Sequence, residues 1–185
     1  MEMTQTIRFK QWIAYNFIGW FLGAVFIIVL SGMLDSIGIE NMQFYLGIGM
    51  GAGVSFMQWI LLRKHFNIGF QWISSAIIGM GLCFIVFDLI PSSMLAHKLP
   101  FSMLSGSLLT GILQSRYLGH VKRKNLWILL SVLAWCLATL TVFSVDYTKY
   151  LKLPNLLTAL VNLTLILLGG IVMGLVTGRY WGKRS

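Results

Sequence analysis

Gln58, Gln114 and Thr177 are the residues through which this sequence comes closest to a polar site. Each completes one pattern, a small residue, a second small residue four on and a polar residue three further: Gly51, Ser55, Gln58; Ser107, Gly111, Gln114; Gly170, Gly174, Thr177. Offsets of four and seven put all three members on one helix face, so the polar groups are expected at equivalent heights, turned toward a common axis. Such a ring can bind a polar head group, line a constriction or hold an ion weakly. It can equally be packing glue, since a hydrogen bond between membrane helices contributes about 0.6–2 kcal/mol. Arg116 and Arg179, each followed by a tyrosine in a matching Arg-Tyr-x-Gly, read as interfacial anchors or as contacts for an anionic lipid or phosphate. Lys122, Arg123 and Lys124 add a basic cluster of the kind that attracts negative head groups.

Other chemistry lacks its residues. His65, His97 and His120 fall in separate loops, and no H-E-x-x-H, G-x-S-x-G, Walker A or pair of carboxylates within an apolar run is present, so hydrolysis and proton pumping have no machinery. Cys83 and Cys136 sit in separate apolar runs with no CxxC spacing and read as small packing residues. No enzyme, metal or cofactor is expected. Asn16 and Asn162 are single amides within apolar runs, expected to satisfy neighbouring groups. Asp88 borders a run and is expected to be solvated.

The elements that position these residues follow from composition. Of 185 residues, 57% are apolar and 10% charged, against about 25% charged in a soluble domain, and mean hydropathy is +0.81. So few charges cannot cover a water-facing surface. Apolar runs at Trp12–Leu34, Met42–Leu62, Phe70–Ile90, Phe101–Leu118, Leu126–Phe143 and Leu156–Trp181 are each long enough to cross a hydrocarbon core of about 30 Å as a helix. The fourth is the most polar. The first is too long for a signal peptide and is followed by no A-x-A site, so it reads as a retained helix. A single transmembrane domain over residues 1–185 is therefore expected.

The net charge of +9 is sorted by loop rather than spread along one face, which argues against nucleic acid. Arg8, Lys10, Arg63, Lys64, Arg116, Lys122, Arg123, Lys124, Arg179, Lys183 and Arg184 fall on one side of the six runs, and Lys98, Lys149 and Lys152 on the other. Retention of basic residues inside makes the first side cytoplasmic, with both termini on it. Asp35, Glu40, Asp88, Asp146 and all three prolines lie at or near the outer ends.

A second pattern marks the odd-numbered runs: Trp12-Ile13 then Gly19-Trp20, Trp72-Ile73 then Gly79-Met80, Trp127-Ile128 then Ala134-Trp135, with a further small residue at Gly23, Cys83 and Ala138. Two alternating half-patterns at the right parity imply three hairpins, helices 2-3, 4-5 and 6-1, closed into a pseudo-threefold ring. The small-residue stripes are expected to serve close packing within one chain. With these residues in view, the chain resembles a widespread set of uncharacterised prokaryotic membrane proteins built on repeats of G-x3-G-x2-Q-W-x2-L-R followed by W-x6-G-W. Gln58-Trp59 with Leu62-Arg63, and Trp12 with Gly19-Trp20, carry the likeness; Ser107 and Ser115 depart from it in the second hairpin. The resemblance implies fold, topology and a prokaryotic cytoplasmic membrane, and no activity.

The expectation is thus an all-α integral membrane protein without enzymatic activity. It would bind a lipid-like or small amphipathic ligand or a membrane partner, with lipids, another membrane protein or a second copy as partners. The alternative is a small transporter or channel component, such as a substrate-binding membrane subunit.

Overall fold

The computed structural model describes residues 7–39, 42–91, 93–95, 97–118 and 123–181. Glu40, His120, Lys122, Lys183, Arg184 and the glycines that close the two Arg-Tyr-x-Gly motifs lie outside them. Six long helices carry the fold: α1 (Phe9–Ser36), α2 (Phe44–Phe66), α3 (Gln71–Asp88), α4 (Lys98–Ser115), α5 (Lys124–Phe143) and α7 (Asn155–Gly178). A short helix, α6 (Val145–Thr148), and a 3-10 turn at Lys149–Leu151 fill the connection from α5 to α7. Among the described residues there is no strand.

Local chemistry sets the ends. Asn67 closes α2 in the left-handed region (φ 52°), which asparagine tolerates better than most residues, after a last turn carrying Arg63, Lys64 and His65 that suits the helix dipole. At the opposite end of α2, the Asp88 carboxylate at the end of α3 accepts hydrogen bonds from the backbone N–H groups of Gln43 and Phe44, both at 2.8 Å. Half-buried rather than freely solvated, Asp88 thus caps a helix whose first N–H groups have no partner of their own. Lys98 donates to its carbonyl at 3.1 Å, tying the start of α4 to the same point.

The long helices touch in the cyclic order α1, α2, α3, α4, α5, α7 and back to α1. Glycines set how closely they approach. A Cβ on Gly51 would stand 2.9 Å from the Ala76 carbonyl oxygen of α3, one on Gly111 3.2 Å from the Ile128 Cα of α5, and one on Gly174 2.7 Å from the Ile13 Cα of α1. The stripe of each polar-pattern helix thus faces the tryptophan-pattern helix that follows it in the repeat. The other stripe faces the opposite neighbour, since a Cβ on Gly19 would meet the Val54 Cα of α2 at 2.9 Å and one on Gly79 the Thr110 nitrogen of α4 at 2.7 Å. All these contacts lie within one chain.

Five helical stretches, α1, α2, α3, the run from α5 through Leu151, and α7, are long and apolar enough to cross a membrane by length and composition. Only 17% of the most apolar stretch of α1 and 22% of that of α7 is buried. A helix that is apolar all round yet not covered by protein needs an apolar solvent. α4 is not among the five and distributes its residues differently. Its hydroxyls at Ser102, Ser105, Ser107 and Ser115 bond to carbonyls of its own preceding turn, while Phe101, Leu104, Leu108 and Ile112 form an exposed apolar stripe at helical spacing.

Candidate functional site

The buried axis of the bundle is built from matched positions on six elements. On α2, α4 and α7 and the turns that end them, Val54, Gln58 and Leu62 correspond to Thr110, Gln114 and Leu118 and to Met173, Thr177 and Trp181, and every one is buried. On α1, α3 and α5 the buried sets are Trp12, Asn16 and Trp20; Trp72, Ala76 and Met80; Trp127, Ser131 and Trp135. Gln58, Gln114 and Thr177 are brought together, as walls of one cavity of about 10 Å³ that Ala76, Thr110, Trp127 and Ser131 also line.

A hydrogen-bonded chain ties these walls. Gln58 Nε2 donates to Asn16 Oδ1 at 2.8 Å, Asn16 Nδ2 to the Trp12 carbonyl at 2.8 Å, and Trp12 Nε1 to Thr177 Oγ1 at 2.8 Å. The Thr177 hydroxyl passes its own hydrogen to the Met173 carbonyl at 2.6 Å. From the other side, Trp72 Nε1 donates to Gln58 Oε1 at 3.2 Å and Gln114 Nε2 to the Trp72 carbonyl at 3.4 Å. Trp12 and Trp72 are thus interior donors, and all three of these tryptophans, Trp127 included, are fully buried.

Toward the basic end of the bundle the same three indoles pack on one another and on Trp181. Ring centroids lie 6.3 Å apart for Trp12 and Trp127, 5.2 Å for Trp72 and Trp127, 5.3 Å for Trp12 and Trp181 and 6.0 Å for Trp127 and Trp181. Ile7, Leu62, Ile68 and Leu118 complete this plug, which brings the two described ends of the chain together. Toward the other end Trp20, Val54, Met80, Trp135 and Met173 fill the axis. The cavity is closed above and below, carries no ionisable group on its wall, and has room for one water rather than a lipid head group.

The remaining candidates stand elsewhere. Arg116 and Arg179 cap α4 and α7 and are exposed, away from the cavity, as are Arg123 and Lys124 at the start of α5. The two Arg-Tyr pairs diverge, for Tyr117 is exposed while Tyr180 packs edge-on against Trp127 at 5.3 Å. Asn162 accepts a hydrogen bond from the Thr148 hydroxyl at 2.7 Å, pinning α6 to α7. Cys83 and Cys136 are half-buried. Among the described residues no three His, Cys, Asp or Glu side chains gather.

A second, larger concavity had no signal in the periodicity. At the end opposite Arg63, Arg116 and Arg179, Leu140, Phe143, Ser144, Asp146, Tyr147, Lys149 and Tyr150 line an open groove of about 520 Å³. Tyr147 and Tyr150 stand exposed on its rim with centroids 6.4 Å apart, and Lys149 Nζ lies 5.3 Å over the Tyr150 ring. The clue available in the sequence was Asp146-Tyr147 and Lys149-Tyr150, charge beside aromatic, directly after an apolar run. Compared with protein-family models, curated proteins and solved structures, the chain matches none of them.

Proposed function

We propose that this chain is a non-enzymatic, multi-pass protein of a prokaryotic cytoplasmic membrane that binds a lipid-like or small amphipathic ligand in the outer groove formed by the end of α5, α6 and the 3-10 turn that follows. Six spans form three pseudo-symmetric hairpins, α2 with α3, α4 with α5 and α7 with α1, and both termini are cytoplasmic. The matching direction of the glycine stripes and the parallel bonds Trp72 to Gln58 and Trp12 to Thr177 support this grouping. Basic residues at the end where the termini meet support the orientation, and both half-patterns fit the resemblance to the six-helix repeat proteins.

One observation carries the functional reading: the axis is sealed at about 10 Å³, while the groove offers about 520 Å³, within the range of about 300–1,000 Å³ usual for small-molecule sites. Its lining is amphipathic in the right order. Leu140 and Phe143 give an apolar floor continuous with the lipid-facing side of α5, the tyrosines match the depth of head groups, and Asp146 with Lys149 offers one charge of each sign to a zwitterion. Gln58, Gln114 and Thr177 then hold the scaffold, and Arg116 and Arg179 meet anionic lipid at the cytoplasmic surface.

Native mass spectrometry of the protein released from nanodiscs of mixed phosphatidylethanolamine and phosphatidylglycerol tests this. One phospholipid should survive detergent removal, and replacing Tyr147 and Tyr150 together by alanine should weaken its binding about tenfold, equivalent to about 1.4 kcal/mol. Equal lipid retention by the variant, or solute flux through liposomes containing the wild type, would refute it.

A further inference from the structure

The three copies of the axial tie are unequal. Trp72 Nε1 reaches Gln58 Oε1 and Trp12 Nε1 reaches Thr177 Oγ1, but Trp127 Nε1, in the equivalent place beside Gln114, is buried with no protein partner. Gln114 spends its amide N–H on the Trp72 carbonyl at 3.4 Å, which leaves its Oε1 an unused acceptor. Thr110 Oγ1, one turn away on α4, is also buried and unpaired. These three residues line the cavity of about 10 Å³. Where α1 places Asn16 beside the network, α3 and α5 place Ala76 and Ser131, and the missing volume lies on their side.

We infer that this cavity is a binding site for a single water molecule that accepts the Trp127 indole hydrogen and donates to Gln114 Oε1 and Thr110 Oγ1. A buried water needs about 10–15 Å³ and two to four polar partners; the cavity meets the lower bound and offers three. The alternatives fail on chemistry. An indole N–H presents hydrogen to the guest and repels a cation, and no carboxylate stands on the wall to hold one. An anion would be buried with no positive partner, at a cost its few donors cannot offset. A neutral guest that both accepts and donates fits, and water does so at this size. The water makes the third tie of the ring, joining α5 to α4 as direct bonds join α3 to α2 and α1 to α7. It also gives Trp127 Nε1 and Thr110 Oγ1 the partner that no protein atom supplies.

The test reads the indole N–H protons of the 15N-labelled full chain in nanodiscs. Trp127 should give a cross-peak with water of opposite sign in NOE and ROE spectra, the mark of a bound water. Trp12 and Trp72, equally buried but bonded to protein oxygens, should give none. Assignment comes from Trp127→Phe or, should that variant not fold, by elimination from the other single tryptophan variants. Thr110→Val, nearly the same shape, should weaken the Trp127 cross-peak severalfold with the other indole signals unmoved. No water cross-peak at Trp127, a same-sign peak reporting exchange with bulk solvent, or an undiminished peak in Thr110→Val would each overturn the inference.

Discussion

Gly53→Ile will unfold or dissociate the α1–α2 pair, at a cost of about 3 kcal/mol or more, whereas Gly32→Ile will stay within about 0.5 kcal/mol of the parent. Both glycines lie in apolar helices, and composition does not separate them. A Cβ on Gly53 would stand 2.5 Å from the Gly23 Cα and 2.7 Å from the Gly19 carbonyl oxygen, while a Cβ on Gly32 meets nothing within 4 Å. The obstacle at Gly53 is backbone, which cannot rotate aside as a side chain can, so the helices must separate and lose the contacts that hold them. Thermal unfolding in mild detergent, followed by tryptophan fluorescence, checks the contrast. A Gly53→Ile variant that melts with the parent would mean that α1 does not cross α2 here.

Gln58→Leu will destabilise the bundle by about 2–4 kcal/mol and Gln114→Leu by about 1 kcal/mol or less, although the two residues occupy equivalent repeat positions. Leucine at 58 removes the acceptor of Trp72 Nε1 and the donor to Asn16 Oδ1. Two buried polar groups are then orphaned, each costing about 1–3 kcal/mol. Leucine at 114 leaves no protein group newly orphaned: it deletes one long bond to a carbonyl that α3 can still use within its own helix, and one acceptor of the axial water, which keeps Trp127 and Thr110 as partners. Denaturation of the two single variants side by side decides the matter: equal losses would show that position in the repeat, not the hydrogen-bond partner, sets the energy.

That inequality marks where sequence reading stops. The small-small-polar pattern places Gln58, Gln114 and Thr177 on one axis because helical periodicity is local and survives in any packing. Which of them is tied, and to what, depends on Asn16, which reads as an isolated amide because its partner lies on another helix 42 residues away. Trp12, Trp72 and Trp127 stand in the sequence as the first members of a small-residue pattern, which does not say which way their indoles face. Only the ring closure turns their indoles inward.

Helix ends moved for identifiable reasons. α4 begins at Lys98 rather than Phe101 because Pro100 falls in its first turn, where a missing N–H costs nothing. It ends at Ser115 because Tyr117 and Leu118 form short turns back to Gln114 and Ser115, which swing Leu118 under the axis. α7 ends at Gly178 in the same way, through Tyr180 and Trp181. Gly49 and Gly53 do not stand out as a stripe because α2 carries glycines at 47, 49, 51 and 53, so its small residues serve two neighbours at once. α6 lies in a charged, tyrosine-bearing segment that reads as a loop, and it becomes a groove wall through the long-range bond from Thr148 to Asn162.

The central claim is a six-span bundle with both ends in the cytoplasm and its groove outside. Single cysteines at Lys124 and Lys152, both exposed, in a background with Cys83 and Cys136 replaced by alanine, test it by labelling intact cells with a membrane-impermeant maleimide. Lys152→Cys should react in intact cells and Lys124→Cys only after permeabilisation; the reverse order, or equal labelling of both in intact cells, would contradict the account.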